Sequence, residues 1–242
     1  MTAQPGLTGA QRPDSRDRAV AADHTPARHA GFTILEMSIV LVIIAVLAGA
    51  VMTGSDLLRH AHGQRIFAEF VTGWSSAFSR YTNLVNAVPG DDPLDPKNVI
   101  LGGAPLCNAA GSPALSNVLL ARGVAFPQGL GPGMEDRYVY QDGNGSPHEL
   151  KVCFRTVQWS VPGTSSGVYV LASRHVMQLT GLTTELAVQL DTLIDGREDQ
   201  RFGRLRSAAD SVSMDVSGKS WPAAKVSSGE ANIGEVTAYL EM

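Results

Sequence analysis

The most constraining feature of the sequence is a long apolar run near its N-terminus. The 21 residues from Phe32 to Met52 contain one charged side chain, Glu36. As an α-helix, a run of this length spans roughly 30 Å, about the thickness of the hydrocarbon core of a bilayer. A soluble protein rarely keeps a buried helix apolar on every face over such a length. The run therefore predicts a membrane-spanning helix over residues 32–52.

Basic residues flank this run unequally. Within roughly 20 residues of it, four arginines precede the run and two follow it: Arg12, Arg16, Arg18 and Arg28, then Arg59 and Arg65. Because positive residues stay on the cytoplasmic side, this bias favours a cytoplasmic N-terminus. The whole chain has a formal net charge of -4, which gives no reason to expect nucleic-acid binding through a basic surface.

A secretory signal peptide is the alternative interpretation of the run. Ala48-Gly49-Ala50 fits the small-x-small pattern of a cleavage site, and basic residues precede the apolar stretch. Two features count against this interpretation. The run is longer than the usual apolar region of about 7–15 residues, and Glu36 lies inside it.

The carboxylate of Glu36 needs a partner. A charged group deep in a bilayer costs on the order of 3 kcal/mol, and residues 32–52 contain no basic side chain. A cut between Gly31 and Phe32 provides a partner, because Phe32 then carries a positive α-amino group in the same environment. The ammonium of one copy can meet Glu36 of a copy shifted along the helix axis, so assembly pairs two otherwise unpaired charges.

These residues resemble the cleavage and assembly motif of type IV prepilins, which the pseudopilins of type II secretion systems share. Gly31 is followed by Phe32, by Glu36 as the fifth residue after the cut, and by an unbroken apolar helix. The resemblance implies that a prepilin peptidase removes residues 1–31 as a leader and methylates the new N-terminus at Phe32. It also implies that Glu36 acts in subunit assembly.

The resemblance implies a structural, non-catalytic subunit of a type IV pilus or a type II secretion-like filament. Where many major pilins have a proline in the mature helix, this chain has Gly49 and Gly54, which fits a minor subunit at least as well as a major one. The implied partners are other pilin or pseudopilin subunits, the prepilin peptidase, an inner-membrane platform protein and a cytoplasmic assembly ATPase. Adhesion, DNA uptake, motility and secretion all stay open as the process served.

The implied location is the inner membrane, with a single span, a cytoplasmic N-terminus and an extracytoplasmic head that enters a filament. The alternative function is a membrane-anchored or secreted enzyme or binding protein with a signal peptide cleaved near Ala50. No convergent set of a nucleophile, a histidine and an acid supports that alternative, so the chain is not expected to be an enzyme.

Beyond the apolar run, a helical period continues. One stripe contains Phe67, Phe70, Val71, Trp74, Phe78, Tyr81 and Val85. This spacing predicts an amphipathic continuation of the helix over residues 53–86, whose apolar face packs against a globular domain. Pro89 and Gly90 are expected to end the helix, because proline blocks continuation and glycine permits the turn.

Residues 87–242 are expected to form a head in which loops alternate with short strands. The turn Asp142-Gly143-Asn144-Gly145 predicts a hairpin between its flanking strands. The predicted elements are strands at 138–140, 150–155, 168–172 and 202–206, and a short amphipathic helix with Leu182, Leu186, Leu190 and Leu193 that closes at Gly196. The expected fold class is α+β, with a long N-terminal helix packed on a mainly antiparallel sheet, as in pilins.

Two short motifs are compatible with chemistry, but their context argues against both. Gly163-Thr164-Ser165-Ser166-Gly167 matches the G-x-S-x-G nucleophile elbow. A strand rather than a helix follows it, and no acid lies between Ser165 and His175, so a polar turn is expected. The stretch 142–146 has calcium-loop spacing, but Pro147 stands where an EF-hand needs glycine.

The remaining candidate ligands do not form a recognisable metal motif. His148-Glu149 lacks the second histidine of a zinc motif, and His60 and His62 have no third ligand nearby. A cluster of acids near a helix end leaves calcium binding open: Asp191, Asp195, Glu198 and Asp199. No catalytic residue, no metal site and no cofactor is predicted.

The two cysteines predict one disulfide. In the strand at 150–155, alternation places Cys153 on the face opposite Val152 and Phe154, an unusual place for a merely packed thiol. Cys107 lies in a loop-like stretch that can cross that face. An extracytoplasmic head lies in an oxidising compartment, which favours a bridge between Cys107 and Cys153 over two independent thiols.

Overall fold

A computed structural model describes residues 31–108, 113–222 and 234–242, with residues 51–59 described by their backbone. The chain divides into two compact units, residues 1–49 and 50–242. The helical elements are α1 (Ile34–Arg65), a π-helical turn (Ile66–Val71), α2 (Thr72–Val85), a 3₁₀ turn (Ile100–Gly103), α3 (Leu115–Leu120) and α4 (Thr184–Asp195). The strands are β1 (Arg137–Gln141), β2 (Pro147–Pro162), β3 (Tyr169–Thr183), β4 (Leu205–Ser207) and β5 (Glu235–Glu241).

The first helices form one helical run. Helix α1, the π turn and α2 follow one another without a break, and the run ends at Val85. Asn86 ends it in a left-handed conformation (φ 57°), and its backbone N–H donates to the carbonyl of Thr82 at 2.8 Å. Asparagine tolerates this conformation better than most residues do, so the helix is capped before Pro89 is reached.

The apolar stripe of the π turn and α2 lies in the core of the second unit. Trp74 is fully buried and stacks on Phe126, with ring centroids 5.1 Å apart and an interplanar angle of 10°. Phe78 meets Phe154 of β2 edge-on at 5.1 Å. Fully burying an aromatic side chain of this kind contributes roughly 1.5–3 kcal/mol, so this stripe accounts for a large part of the hydrophobic stabilisation of the unit.

The sheet is antiparallel throughout, with strand order β1-β2-β3-β5-β4. Strands β2 and β3 form a long hairpin whose register runs from Lys151↔Thr180 to Pro162↔Tyr169. At its tip the backbone N–H of Gly163 donates to the carbonyl of Val168 at 2.7 Å. The described residues therefore form an α+β fold with an N-terminal helix and a five-stranded antiparallel sheet, as the sequence predicted.

Two predicted strands are longer in the structure than their sequence signals. The predicted strand at 150–155 and most of the one at 168–172 lie in β2 and β3, which extend because the two strands pair with each other from Lys151↔Thr180 to Pro162↔Tyr169. Many side chains in the extension are polar and half-exposed, so the apolar pattern alone gave no sign of it.

Two other predicted boundaries were wrong. Leu182 lies in β3 opposite Val236, and not in the helix that follows. The predicted strand at 202–206 is reduced to β4 (Leu205–Ser207). The Asp195 carboxylate accepts the backbone N–H groups of Arg204 and Leu205 at 2.9 Å, and this holds the residues before β4 in a loop.

Helix α4 is capped at both ends. The Thr183 hydroxyl accepts the backbone N–H of Leu186 at 3.3 Å, which satisfies one donor of the first turn. Gly196 ends the helix in the left-handed region (φ 75°), with its N–H donating to the carbonyl of Thr192 at 3.0 Å. These caps fix the direction in which the chain leaves the helix towards residues 197–222.

Among the residues that the structure describes, none of the helices combines the length and the hydropathy needed to cross a membrane.

Candidate functional site

The start of α1 is held by a reciprocal pair of polar residues. The hydroxyl of Thr33 accepts the backbone N–H of Glu36 at 3.2 Å. In return, the Glu36 carboxylate accepts the backbone N–H of Thr33 at 3.1 Å and its hydroxyl at 3.2 Å. This is a capping box, in which the two residues satisfy donors that the first helical turn leaves unpaired.

The capping box determines where the Glu36 carboxylate lies. It is bonded to the amide of Thr33, only one residue beyond the predicted cut between Gly31 and Phe32. The N-terminus of a helix favours negative charge, because its peptide dipoles point their positive ends there. The carboxylate is therefore placed next to the position at which a new α-amino group would appear.

Large apolar side chains surround this polar start. Phe32 is 75% exposed, and the apolar residues that follow it are exposed on every face of the helix: Ile34, Leu35, Met37, Ile39, Val40, Leu41, Val42, Ile43, Ile44, Val46 and Leu47. A helix with apolar residues all round is stable only when an apolar environment covers it. This part of α1 therefore needs lipid or other protein chains around it.

The fold itself makes no demand on Gly31. No atom of the residues that the structure describes lies within 4 Å of a Cβ built at this position, and its backbone lies outside the left-handed region that favours glycine. A larger side chain would meet neither a steric clash nor backbone strain. If glycine is required here, the requirement comes from a partner that handles this segment.

Cys107 and Cys153 are joined by a disulfide, with Cα atoms 4.5 Å apart. The neighbouring residues Leu106 and Phe154 pair as a short antiparallel bridge, with N–H to carbonyl distances of 2.7 and 2.9 Å in the two directions. The loop that contains Cys107 therefore lies along the edge of β2, beyond the end of β1.

His148 forms a second cross-link, which is polar. Its Nε2 lies 3.1 Å from Oδ2 of Asp142, and its Nδ1 lies 3.0 Å from Oε1 of Glu235 at the start of β5. Burial lowers the pKa of His148, but the hydrogen bonds with Glu235 and Asp142 outweigh burial and raise its pKa overall. An imidazolium can donate from both nitrogens, so the protonated ring satisfies both carboxylates.

The hairpin turn next to His148 uses the same acid. Asp142 Oδ1 accepts the backbone N–H groups of Asn144 at 2.8 Å and Ser146 at 2.9 Å. Burial raises the pKa of Asp142, yet the hydrogen bonds from His148 and from these two amides lower it overall. The stretch with calcium-loop spacing is thus a hairpin turn whose acidic oxygens are already hydrogen-bonded.

The other candidate motifs also lie in turns or in contacts of the fold. The G-x-S-x-G stretch forms the tip of the β2–β3 hairpin, where the backbone N–H of Val168 donates to the carbonyl of Ser165 at 3.2 Å. His60 lies 3.2 Å from the amide nitrogen of Gln189 in α4. Among the described residues, no group of three or more His, Cys, Asp or Glu side chains could hold a metal ion.

The acids near the end of α4 hold backbone groups. Asp195 accepts the backbone N–H groups of Arg204 and Leu205 where β4 begins, and Asp199 Oδ1 accepts those of Arg201 at 3.0 Å and Lys219 at 3.2 Å. Asp191 is fully buried and accepts the indole N–H of Trp221 at 2.8 Å. The cluster therefore organises the segment after α4.

Sequence reasoning missed three of these features. The Thr33–Glu36 box has the T-x-x-E spacing that marks a helix start, and that spacing was available in the sequence. The contacts from His148 to Glu235 and from Asp191 to Trp221 join residues 87 and 30 positions apart. No local pattern indicates contacts at such separations.

The comparison with known families bears on the N-terminal segment. Residues 26–52 match the family model of the prokaryotic N-terminal methylation motif. The chain carries the N-terminal signature of type IV pilins and pseudopilins. No curated protein and no solved structure matches the chain.

The pilin signature covers Gly31, Phe32 and Glu36 and the apolar part of α1 that follows them. It points to a structural subunit that is anchored in a membrane and assembles with other pilin subunits after processing by a prepilin peptidase. Cleavage after Gly31, methylation of Phe32 and the assembly role of Glu36 stay predictions.

Proposed function

We propose that this protein is a minor pilin or pseudopilin, a structural subunit of a type IV pilus or a type II secretion-like filament. The observation that supports this proposal most directly is the match of residues 26–52 to the methylation motif. The position of the Glu36 carboxylate, which caps the helix beside the predicted cut, adds physical support.

The proposed order of events begins with processing. A prepilin peptidase cuts between Gly31 and Phe32 and methylates the α-amino group of Phe32, which keeps its positive charge. The ammonium of an incoming subunit then pairs with Glu36 of a neighbour inside the apolar filament core. In that environment each unpaired charge costs on the order of 3 kcal/mol, so pairing favours an axial shift at which the two groups meet.

The proposed organisation follows from this order. Residues 1–31 are the leader, and residues 32–52 form the segment that crosses the inner membrane and later lies in the filament core. Residues 53–86 are the amphipathic continuation, and residues 87–242 are the extracytoplasmic head. The exposed apolar surface of α1 from Phe32 onwards supports a role for this segment in lipid and then in a filament.

The proposed partners follow from the family signature. They are other pilin or pseudopilin subunits, the prepilin peptidase, an inner-membrane platform protein and a cytoplasmic assembly ATPase. The minor rather than major assignment rests on the absence of a proline in the mature helix, where Gly49 and Gly54 stand instead, and on the length of the head.

Intact-mass and N-terminal analysis of the protein from its native membrane tests the proposal. The expected mature chain begins at N-methylated Phe32. Replacement of Gly31 by leucine should leave the full leader attached, because the fold tolerates the change and only processing is affected. Gly49→Leu is the matched control, since no atom in the described part of the chain lies within 4 Å of a Cβ at that position either, and it should be processed normally. A mature chain that begins at Val51 would instead identify a signal peptide and overturn the proposal.

A further inference from the structure

Asp191 of α4 fastens the segment after the helix to the helix itself. The residue is fully buried. Its Oδ2 atom accepts the backbone N–H of Asp199 at 2.7 Å and the indole N–H of Trp221 at 2.8 Å. Asp199 and Trp221 lie near the two ends of the segment 197–222, called here the α4 loop, which includes the short strand β4. One carboxyl oxygen of Asp191 thus holds both ends of the α4 loop.

The other contacts of the α4 loop reinforce this arrangement. Glu198 accepts the backbone N–H of Trp221 at 3.3 Å, and the backbone N–H of Gln200 donates to the carbonyl of Lys219 at 2.8 Å. The ends of the α4 loop are therefore bonded to each other. Asp191 joins this pair of ends to the helix, and Asp195 of α4 joins the middle of the α4 loop by accepting the backbone N–H groups of Arg204 and Leu205.

The second oxygen of Asp191 is in a different situation. In the described part of the chain, Oδ1 is buried and has no hydrogen-bond partner. A buried carboxylate oxygen without a partner is costly when the group is charged, and much less so when the group is neutral. The geometry therefore favours the protonated carboxyl group, in which Oδ2 still accepts the two N–H groups.

The charged groups that face Asp191 act in the same direction. Asp195 lies one turn later on α4, and Glu198 and Asp199 are the nearby acids of the α4 loop. Three cations of that loop are paired with acids: Arg197 with Asp199 at 3.3 Å, Arg201 with Asp215 at 2.8 Å, and Lys219 with Asp210 at 2.8 Å. Burial and the negative charge of Asp195 raise the pKa of Asp191 to about 7, although the bonds from Trp221 and Asp199 lower it.

We propose that the neutral carboxyl group of Asp191 is a pH-sensitive latch that keeps the α4 loop docked on helix α4 and loosens when the group ionises. Ionisation places a second negative charge beside Asp195 and leaves Oδ1 charged, buried and unpartnered. Loosening lets water reach that oxygen at the expense of the bonds to Trp221 and Asp199. The loop also carries the exposed apolar residues Val212, Met214 and Val216, so the latch sets the mobility of an apolar surface.

The direction of the pH effect follows from the raised pKa. An unfolded chain ionises this group at its ordinary pKa of 3.8, whereas the folded chain keeps it neutral up to about pH 7. The stabilisation from the neutral group is fully present below pH 3.8, decreases as the pH rises to about 7 and is absent above that value. The docked α4 loop is thus expected to be more protected in acid than in base.

The test uses the full-length protein in detergent micelles, followed from mildly acidic to mildly alkaline pH. The indole N–H resonance of Trp221 should shift with a midpoint near pH 7. Hydrogen exchange of the α4 loop amides, corrected for the intrinsic effect of pH, should accelerate as the pH rises towards 7 and level off above that value. In Asp191→Asn, which keeps an oxygen acceptor and cannot ionise, both transitions should disappear and exchange should stay slow.

Glu198→Gln is the matched control, because it removes a neighbouring charge and leaves the Asp191 carboxyl in place. The Trp221 resonance and the exchange of the α4 loop should still change with pH in this variant. If the Asp191→Asn variant does not fold, the carboxyl ¹³C resonance of Asp191 in the wild-type protein decides the question. A midpoint at an ordinary aspartate pKa, or loop exchange that does not change with pH, overturns the proposal. Persistence of the Trp221 transition in Asp191→Asn overturns it as well.

Discussion

Thr33 holds the Glu36 carboxylate at the start of α1. Replacing Thr33 therefore weakens the helix cap and leaves the charge of Glu36 unchanged. Thr33→Val keeps the shape of the side chain but removes the hydroxyl that accepts the backbone N–H of Glu36. Loss of an N-cap typically costs about 0.5–2 kcal/mol. We expect faster hydrogen exchange in the first turn of α1 in micelles, with Thr33→Ser close to wild type. Equal exchange in the valine and serine variants would show that the cap contributes nothing.

His148 should give the head a stability that depends on pH. His148→Gln removes the positive charge shared by Asp142 and Glu235, and we expect destabilisation of roughly 1–3 kcal/mol in denaturant melts. The raised pKa of His148 stabilises the fold below pH 6.5, and the lowered pKa of Asp142 stabilises it above pH 3.8. The difference between variant and wild type should therefore be largest between these values and shrink on either side.

The matched control for this experiment is Glu235→Gln. The Glu235 side chain is 51% exposed, so solvent screens its contact and the expected loss of stability is smaller. A pH-independent difference between His148→Gln and wild type would contradict the ion-pair account and leave only a packing role.

At the scale of elements, the contact between α1 and α4 depends on the absence of a side chain at Gly63. A Cβ at this position would overlap the amide group of Gln189, whose nitrogen donates to the carbonyl of His60 at 3.0 Å. The overlapping atoms end a flexible side chain, so we expect Gly63→Ala to displace Gln189 and to remove its bonds with His60, a loss that offsets the better helix propensity of alanine in the melting temperature. Gln189→Ala should destabilise the wild type by losing the same bonds and should have little further effect in the Gly63→Ala background. Additive destabilisation in the double variant would argue against this close approach.

The disulfide joins the loop before α3 to the part of β2 that lies beyond the end of β1. Cysteines 46 residues apart are linked, and closing a loop of this size contributes roughly 2–4 kcal/mol, mainly by restricting the unfolded chain. The double variant Cys107→Ser/Cys153→Ser should lose about this much in denaturant melts. Wild-type protein treated with a reductant should match it. Labelling of two thiols in the denatured, unreduced protein would mean that the bridge is absent.

The elements that could be predicted are those whose signal is local. The stripe that contains Trp74 and Phe78 has a helical period, and the turn at 142–145 has hairpin chemistry, so both follow from the sequence. The π turn (Ile66–Val71) has no propensity signal, and Ile66, outside the predicted stripe, is buried with it. The full lengths of β2 and β3 depend on pairing with each other and with β1 and β5, and no single segment of the sequence contains that information.

In the candidate site, too, local patterns could be predicted from the sequence and long-range contacts could not. Gly31, Phe32 and Glu36 lie close together in sequence, so their pattern could be recognised without a structure. The long-range contacts of His148 and Asp191 arise only when separate strands and loops meet in the fold. Sequence reasoning therefore reached the processing segment, and it did not reach the titrating groups of the head.

At the scale of the whole molecule, Glu36 should control assembly and leave the head unaffected. Glu36→Gln keeps the size of the side chain and an oxygen acceptor, so Thr33 can still be satisfied, but the charge is lost. We expect normal membrane insertion and cleavage, with filament incorporation reduced at least tenfold, since a pairing of about 1.4 kcal/mol already corresponds to that factor. Glu36→Ala should behave similarly.

Glu69→Gln is the control for this assembly experiment. Glu69 lies on the same helical run, but it is exposed and paired with Arg65 at 3.0 Å, beyond the apolar segment. Exposed pairs of this kind contribute little, so incorporation should be unchanged. Normal incorporation of both Glu36 variants would remove the charge-pairing argument, whichever filament the protein enters.

The bridge between Cys107 and Cys153 has a mechanical consequence for a subunit under tension. When a chain is pulled from its two ends, force passes through the sulfur atoms and bypasses the stretch of residues 108–152 between the cysteines. That stretch corresponds to roughly 150 Å of extended chain, at about 3.3 Å per residue. It contains α3, β1 and the first part of β2. A head that is stretched can therefore lengthen only through the segments outside the bridge.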